Sequence, residues 1–183
     1  MMLHRVKQKF GYYGRYYARY GYANENDEIV IPCDYHDVDP KFYDGLARVR
    51  DQNNVGFIDE KGKVIVPLIY KEAWNFSEGL APVRKNDKWG LIDKKGNTVL
   101  PFKYDDMGVF SNELIRVKRN DKWGFIDKKG NTVIPFMYDY AYDFSKVKAK
   151  VVIYGETTYI DKQNKVLKKY RHPLIEAIFL VEI

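Results

Sequence analysis

The chain has 183 residues, 45% of them hydrophobic, which is enough for one domain with a core and too many for an extended disordered protein. Its single cysteine, Cys33, excludes an internal disulfide and a Cys-based zinc site. The net charge of +6 sits at the two ends: residues 1–23 carry five basic residues and no acid, residues 162–183 a net +3, and the body between them about −2.

The first segment, MMLHRVKQKFGYYG, lacks the apolar stretch of a secretory signal, and no run approaches the ~18 apolar residues of a membrane span. With the lone thiol, these features make a cytoplasmic protein with no membrane partner the expectation. The Tyr-rich stretch FGYYGRYYARYGYA follows. Tyr12, Tyr13, Arg15, Tyr16, Tyr17 and Arg19 combine rings that stack on bases with cations that neutralise phosphates, one route to nucleic-acid contact. The other reading is a first strand pair whose rings cover the open end of an array.

From there the chain repeats. Asp59, Asp93, Asp127 and Asp161 fall 34 residues apart, as do Val49, Val83, Val117 and Val151, and the three serines Ser77, Ser111 and Ser145. Pro32, Pro67, Pro101 and Pro135 keep the beat with one step of 35, each followed three residues later by Tyr. NDKWGLIDKKGNTVLPF (86–102) and NDKWGFIDKKGNTVIPF (120–136) differ at only two positions. A period of this length decides the architecture before any other consideration.

Within one unit the pattern predicts three strands. Leu80 to Lys85 is the first, and Asn86-Asp87 form a tight hairpin, since both residue types tolerate positive φ. Lys88 to Ile92 is the second, and Asp93-Lys94-Lys95-Gly96 a turn capped by the Asp side chain. Thr98 to Leu100 is the third, closed by Pro101. The remainder, KYDDMGVFSNE, has no clear period and reads as a connection. A three-stranded meander is too small to stand alone and must bury a face against the next unit. Trp89 and Trp123 fill that joint in this reading, and Gly90 and Gly124 let a neighbouring backbone come close.

The expected fold is therefore all-β: about five meanders in an open twisted stack, with a small closed propeller as the alternative. Unit boundaries fall at 1–41, 42–75, 76–109, 110–143 and 144–172, the first and last units degenerate, and 173–183 (HPLIEAIFLVEI without its first residue is PLIEAIFLVEI) forms a closing strand. An exposed strand there would invite homodimerisation.

KWGLIDKKGNTVLPFKYDD and KWGFIDKKGNTVIPFMYDY resemble the bacterial WG (also called KWG) repeat in Trp-Gly, Ile-Asp, Lys-Gly, Val-x-Pro and Tyr-Asp. The resemblance is strong over 80–139, fair over 42–79 and weak at 12–38 and 145–170. It implies a β-rich repeat protein that mediates interactions and carries no catalytic residue. Val55 and Thr157 depart from its Trp.

The residues add no chemistry that would alter this. One Asp per turn followed by Lys is a turn cap rather than a calcium site, which needs roughly six to eight oxygens. Three serines at one repeat position do not make a nucleophile, which is needed once. His4, His36 and His172 lack metal-ligand spacing, and no phosphate-binding glycine loop occurs. No enzyme, cofactor or metal is expected. Specificity should lie where copies differ: five and seven residues after each Pro stand Asp37, Glu72, Asp106, Tyr140 and Asp39, Trp74, Gly108, Tyr142. Trp74, Tyr140 and Tyr142, with His36 in the first connection, are the expected protein-binding residues of a scaffold. Nucleic-acid binding through the basic Tyr-rich N-terminus and basic C-terminal segment is the alternative, and glycan or cell-wall binding a third.

Overall fold

The structure is a computed structural model that describes residues 2–13 and 15–167. The expected closing strand at 173–183, and with it the dimer contact, lies outside the described residues. Among the described residues all regular structure is β, in five antiparallel sheets. No helix among the described residues is long and apolar enough to cross a membrane.

The first sheet is β1 (His4–Tyr12), β2 (Arg15–Ala23) and β3 (Ile29–Tyr35). The second holds β4 (Asp37–Val38), β5 (Leu46–Arg50), β6 (Val55–Asp59) and β7 (Val64–Tyr70). The third holds β8 (Glu72–Ala73), β9 (Leu80–Lys85), β10 (Lys88–Asp93) and β11 (Thr98–Tyr104). The fourth holds β12 (Asp106–Met107), β13 (Ile115–Arg119), β14 (Lys122–Ile126) and β15 (Thr132–Tyr138). The fifth holds β16 (Tyr140–Ala141), β17 (Ala149–Ile153) and β18 (Glu156–Ile160), and an isolated bridge joins Ile160 to Val166. In every sheet the strands lie in chain order. The chain divides into two compact units: one runs to Asn86 and includes Leu91–Thr98, and the other holds Asp87–Gly90 and resumes at Val99.

Each repeat contains the expected meander, and its turns follow from local chemistry. Asn86 and Asp87 have φ of 50° and 59°, and Asn120 and Asp121 51° and 59°, the left-handed pair that matches strand twist in a two-residue hairpin. The recurrent Asp caps its own turn: Oδ1 of Asp93 accepts the Lys95 and Asn97 amides at 2.8 and 2.9 Å, and Asp59, Asp127 and Asp161 do the same. Asn24 takes this role in the first sheet, accepting from Asn26 and Glu28. The Asp93 carboxyl is held below its ordinary value, first by the Asn97 side-chain amide. A depressed carboxylate gives stability that is complete above its unfolded pKa and is lost as pH falls through the folded one. Asp93→Asn is therefore expected to cost about 1 kcal/mol at neutral pH. Its stability should also fall less steeply than wild type below about pH 4. Urea melts at several pH values read both effects, and an unchanged acid limb would remove this role from the turn.

Two features differ from the sequence reading. The connection is not unstructured: β4, β8, β12 and β16 each pair with the next long strand and make a fourth strand where the meander has three. Behind each lies a two-residue turn, closed by a bridge at Tyr43–Leu46, Ser77–Leu80, Ser111–Leu114 and Ser145–Lys148. Pro is also not the end of the third strand. The strand runs through it to Tyr70, Tyr104 and Tyr138, and the β6–β7 and β14–β15 ladders shift register beside Gly56 and Gly124. A bulge is where an edge strand tolerates a residue without an N–H.

That bulge explains the glycine after Trp. A Cβ on Gly21, Gly56, Gly90 or Gly124 would lie 2.3, 2.5, 2.9 or 2.7 Å from the carbonyl oxygen of Ile31, Val66, Leu100 or Ile134. The backbone that approaches is the third strand of the same repeat, not that of the next repeat. In the fifth sheet Thr158 stands buried at the glycine position.

Successive repeats meet through rings. Phe42, Phe76 and Phe144, each opening a repeat, contact Tyr22, Phe57 and Phe125 of the repeat before at 4.8, 4.7 and 5.0 Å between centroids. In the second compact unit Trp123, 2% exposed, joins Phe125, Tyr138, Phe144 and Val151 in one apolar cluster. In the first, Tyr22, Ile31, Val38, Val49 and Ile58 form the corresponding core.

Candidate functional site

The short strands place the variable positions at sheet edges. In each, the second residue (Val38, Ala73, Met107, Ala141) is buried, and the variable positions stand immediately before and after it. At the first flank three sheets set an acid opposite a base: Asp37 faces Arg50, Glu72 faces Arg84 and Asp106 faces Lys118. Such cross-strand pairs stabilise a ladder. The fifth sheet departs from this, with Tyr140 facing Val152.

Around Tyr140 an aromatic cluster reaches the surface. Its ring lies 5.5 Å from Trp123 and 5.0 Å from Tyr142, both edge-on. The Arg116 guanidinium stands 4.6 Å from the Trp123 ring and 5.7 Å from Tyr140, and Lys150 stands 5.0 Å from Tyr142. Tyr140 and Tyr142 nonetheless remain 41% and 46% exposed. Arg116 is fixed by Asp143 Oδ1 at 2.9 Å and the Ala141 carbonyl at 3.1 Å. Gly108 leaves room for this pair, since a Cβ there would meet Asp143 Oδ1 at 2.0 Å.

In the first compact unit Trp74 is 43% exposed, its amide donating to the Pro82 carbonyl. His36 is half-buried at the bend before β4, and its Nδ1 finds no hydrogen-bond partner among the described residues. Asp39 is buried and accepts both Nη2 and the amide of Arg48. Burial pushes its carboxyl above the ordinary value, against the pull of that guanidinium. Arg48 also donates to the Ala73 carbonyl of the next repeat. This clamp and the Arg116 one are the same device two periods apart. The signal was present in the sequence as Arg48 and Arg116, spaced by 68, with Pro82 between them.

The Tyr-rich N-terminal residues lie on a β-ribbon. β1 and β2 pair along nine residues, but β3 joins only from Tyr20 onward, so the outer half has no third strand. There Phe10 and Tyr17 stack at 5.6 Å, and the Tyr16 ring covers Gly11 from the opposite side. Tyr13, Tyr16 and Tyr17 are 90%, 79% and 50% exposed, and Arg15 is exposed beside them. Tyr12 pairs with Arg15 in the backbone ladder, and the Arg19 guanidinium stands 5.2 Å from the Tyr17 ring.

No group of three or more His, Cys, Asp or Glu among the described residues could hold a metal ion. A polar pocket of about 110 Å³ lies between Asp37, Asp39, Arg48 and Arg50, and wider, open hollows of about 520 and 470 Å³ lie beside Phe42 and beside Leu167. Cys33 is buried, and burial raises its thiol pKa.

The family described as WG containing repeat matches four times, at residues 20–55, 56–89, 89–123 and 123–155. No individually curated protein matches the chain. The four matches start near the Trp position, each in a middle strand of one sheet and running on into the next sheet, and together span most of the chain. The chain belongs to the family of WG-containing-repeat proteins.

Proposed function

We propose that the chain is a non-enzymatic scaffold that binds a protein partner through the edge strands between its repeats. The observation that carries this reading is the Tyr140–Tyr142 pair. These rings stand on a strand anchored by buried Trp123 and clamped Arg116, yet each keeps over two fifths of its surface exposed. Rigid, amphipathic rings on a firm support are what interface hot spots are made of. They also sit where the fifth sheet abandons the acid–base pair of the others, so the repeat itself does not require them. Trp74 offers a second exposed anchor in the first compact unit. The reading places the scaffold in the cytoplasm, where a lone buried thiol stays reduced.

A partner recovered with the wild-type chain and repurified is the probe. Tyr142→Ser is expected to weaken its binding by at least about tenfold while leaving the unfolding free energy within about 0.5 kcal/mol of wild type. Trp74→Ala is tested in the same way. Unchanged affinity in both variants, or a collapse of the fold, ends the proposal.

A further inference from the structure

The first sheet makes a ribbon longer than its packing requires. Its β2 grades from exposed at Arg15 to fully buried at Ala23, and the outer part, residues 8–19, lies beyond the reach of β3. An unsupported two-stranded ribbon is marginal in water, so one that spends its outer surface on exposed aromatic rings calls for an occupant.

Strand alternation sorts its side chains. One face carries Lys7 and Lys9 on β1, with Tyr16 and Tyr20 on the paired strand. The other carries Phe10 stacked with Tyr17, flanked by Arg15 and Arg19. Cations thus alternate with rings on both faces. Arg5, nearer the base, is committed to Asp37 at 2.8 Å and to the Tyr20 ring at 4.1 Å. Lys7, Lys9, Arg15 and Arg19 make no ion pair with any acid among the described residues, whereas Arg48, Arg84, Arg116, Lys88 and Lys122 do. The ribbon itself contains no acid.

We infer that this ribbon is a binding arm for single-stranded nucleic acid. Phosphates bind the four cations that lack an acid partner, of which Arg19 stands 5.2 Å from the Tyr17 ring, and unpaired bases stack on Phe10, Tyr16 and Tyr17. Rings favour a single strand over a duplex, whose bases offer no free faces. An anionic membrane is the weaker fit, because residues 8–19 contain no Val, Leu, Ile or Trp to insert.

The test uses the full chain and fluorescence anisotropy with labelled oligo(U) and oligo(dT) of twenty nucleotides. With four cations engaged, log K should fall against log salt with a slope of about −3. Tyr16→Ala/Tyr17→Ala, which removes no charge, should weaken binding by at least about tenfold at an unchanged slope. Lys9→Glu/Arg15→Glu should weaken it further and flatten the slope. All four positions are exposed, and circular dichroism checks that each variant keeps its fold. The inference fails if the Tyr variant binds like wild type, which would leave charge attraction alone. It fails equally if a blunt duplex of the same length binds as tightly, if polyglutamate competes as well as oligo(U), or if the chain prefers phosphatidylserine vesicles to both oligonucleotides. None of these outcomes touches the protein-binding proposal, which rests on different residues.

Discussion

Trp123→Ala is expected to destabilise the second compact unit by about 3–5 kcal/mol. The indole is 2% exposed and lies in a cluster drawn from two repeats, so its removal leaves a cavity that neither repeat alone can close. It also uncovers the Arg116 guanidinium, which stands 4.6 Å from the ring and is held by Asp143 and Ala141. Burial raises the Asp143 carboxyl above its ordinary value even with Arg116 beside it, although its side chain keeps about 30% of its surface in water. Trp74→Ala is the control: the same residue type, 43% exposed, is expected to cost under about 1 kcal/mol. Urea denaturation followed by far-UV circular dichroism compares the two. A cost below about 1 kcal/mol for Trp123→Ala would show that the indole does not hold this joint.

Gly56→Ala is expected to cost about 3 kcal/mol, the upper range for overpacking a rigid site. The new methyl would sit 2.5 Å from the Val66 oxygen and 2.8 Å from the Leu68 nitrogen and the Pro67 carbonyl carbon. Every one of these is backbone, so no rotamer change relieves the clash. The repeat keeps this glycine even where Val55 replaces the Trp before it, which marks the crossing strand as the stricter demand. Gly79 provides a contrast. Nothing lies within 4 Å of a Cβ there, and its requirement is a φ of +78°. Asn visits that conformation readily, so Gly79→Asn should approach wild type while Gly56→Asn is as damaging as Gly56→Ala. Thermal melts of the three variants decide this, and equal tolerance at both sites would overturn the steric account.

Much of one repeat was legible because its causes are local. Asn86-Asp87 need only their own backbone to form a hairpin, and Asp93 caps amides two and four residues away. The two-residue strands were not legible. Asp106 and Met107 become a strand only by pairing with Lys118 and Val117, and two residues carry no period of their own. Pro101 marked a strand end on the page, since a missing N–H ends a ladder. Its strand continues to Tyr104, as β7 and β15 continue through Pro67 and Pro135, where a register shift beside Gly56 and Gly124 relaxes the demand for a donor.

The candidate sites divide in the same way. That Tyr140, Tyr142 and Trp74 are not demanded by the repeat could be read by aligning its copies. That they stay exposed while Trp123 is buried could not, because burial depends on which strand crosses above a ring. The Tyr-rich segment was readable as basic and aromatic, but only the pairing register shows that its outer half lacks a third strand.

The sequence by itself determined the 34-residue repeat, the turns and the three-stranded meander, since each is set by interactions within a few residues. The tertiary structure alone decided the fourth strand, the path of the chain over glycine, and which aromatic rings meet water. Those depend on contacts between residues distant along the chain, whose free energy no local pattern records.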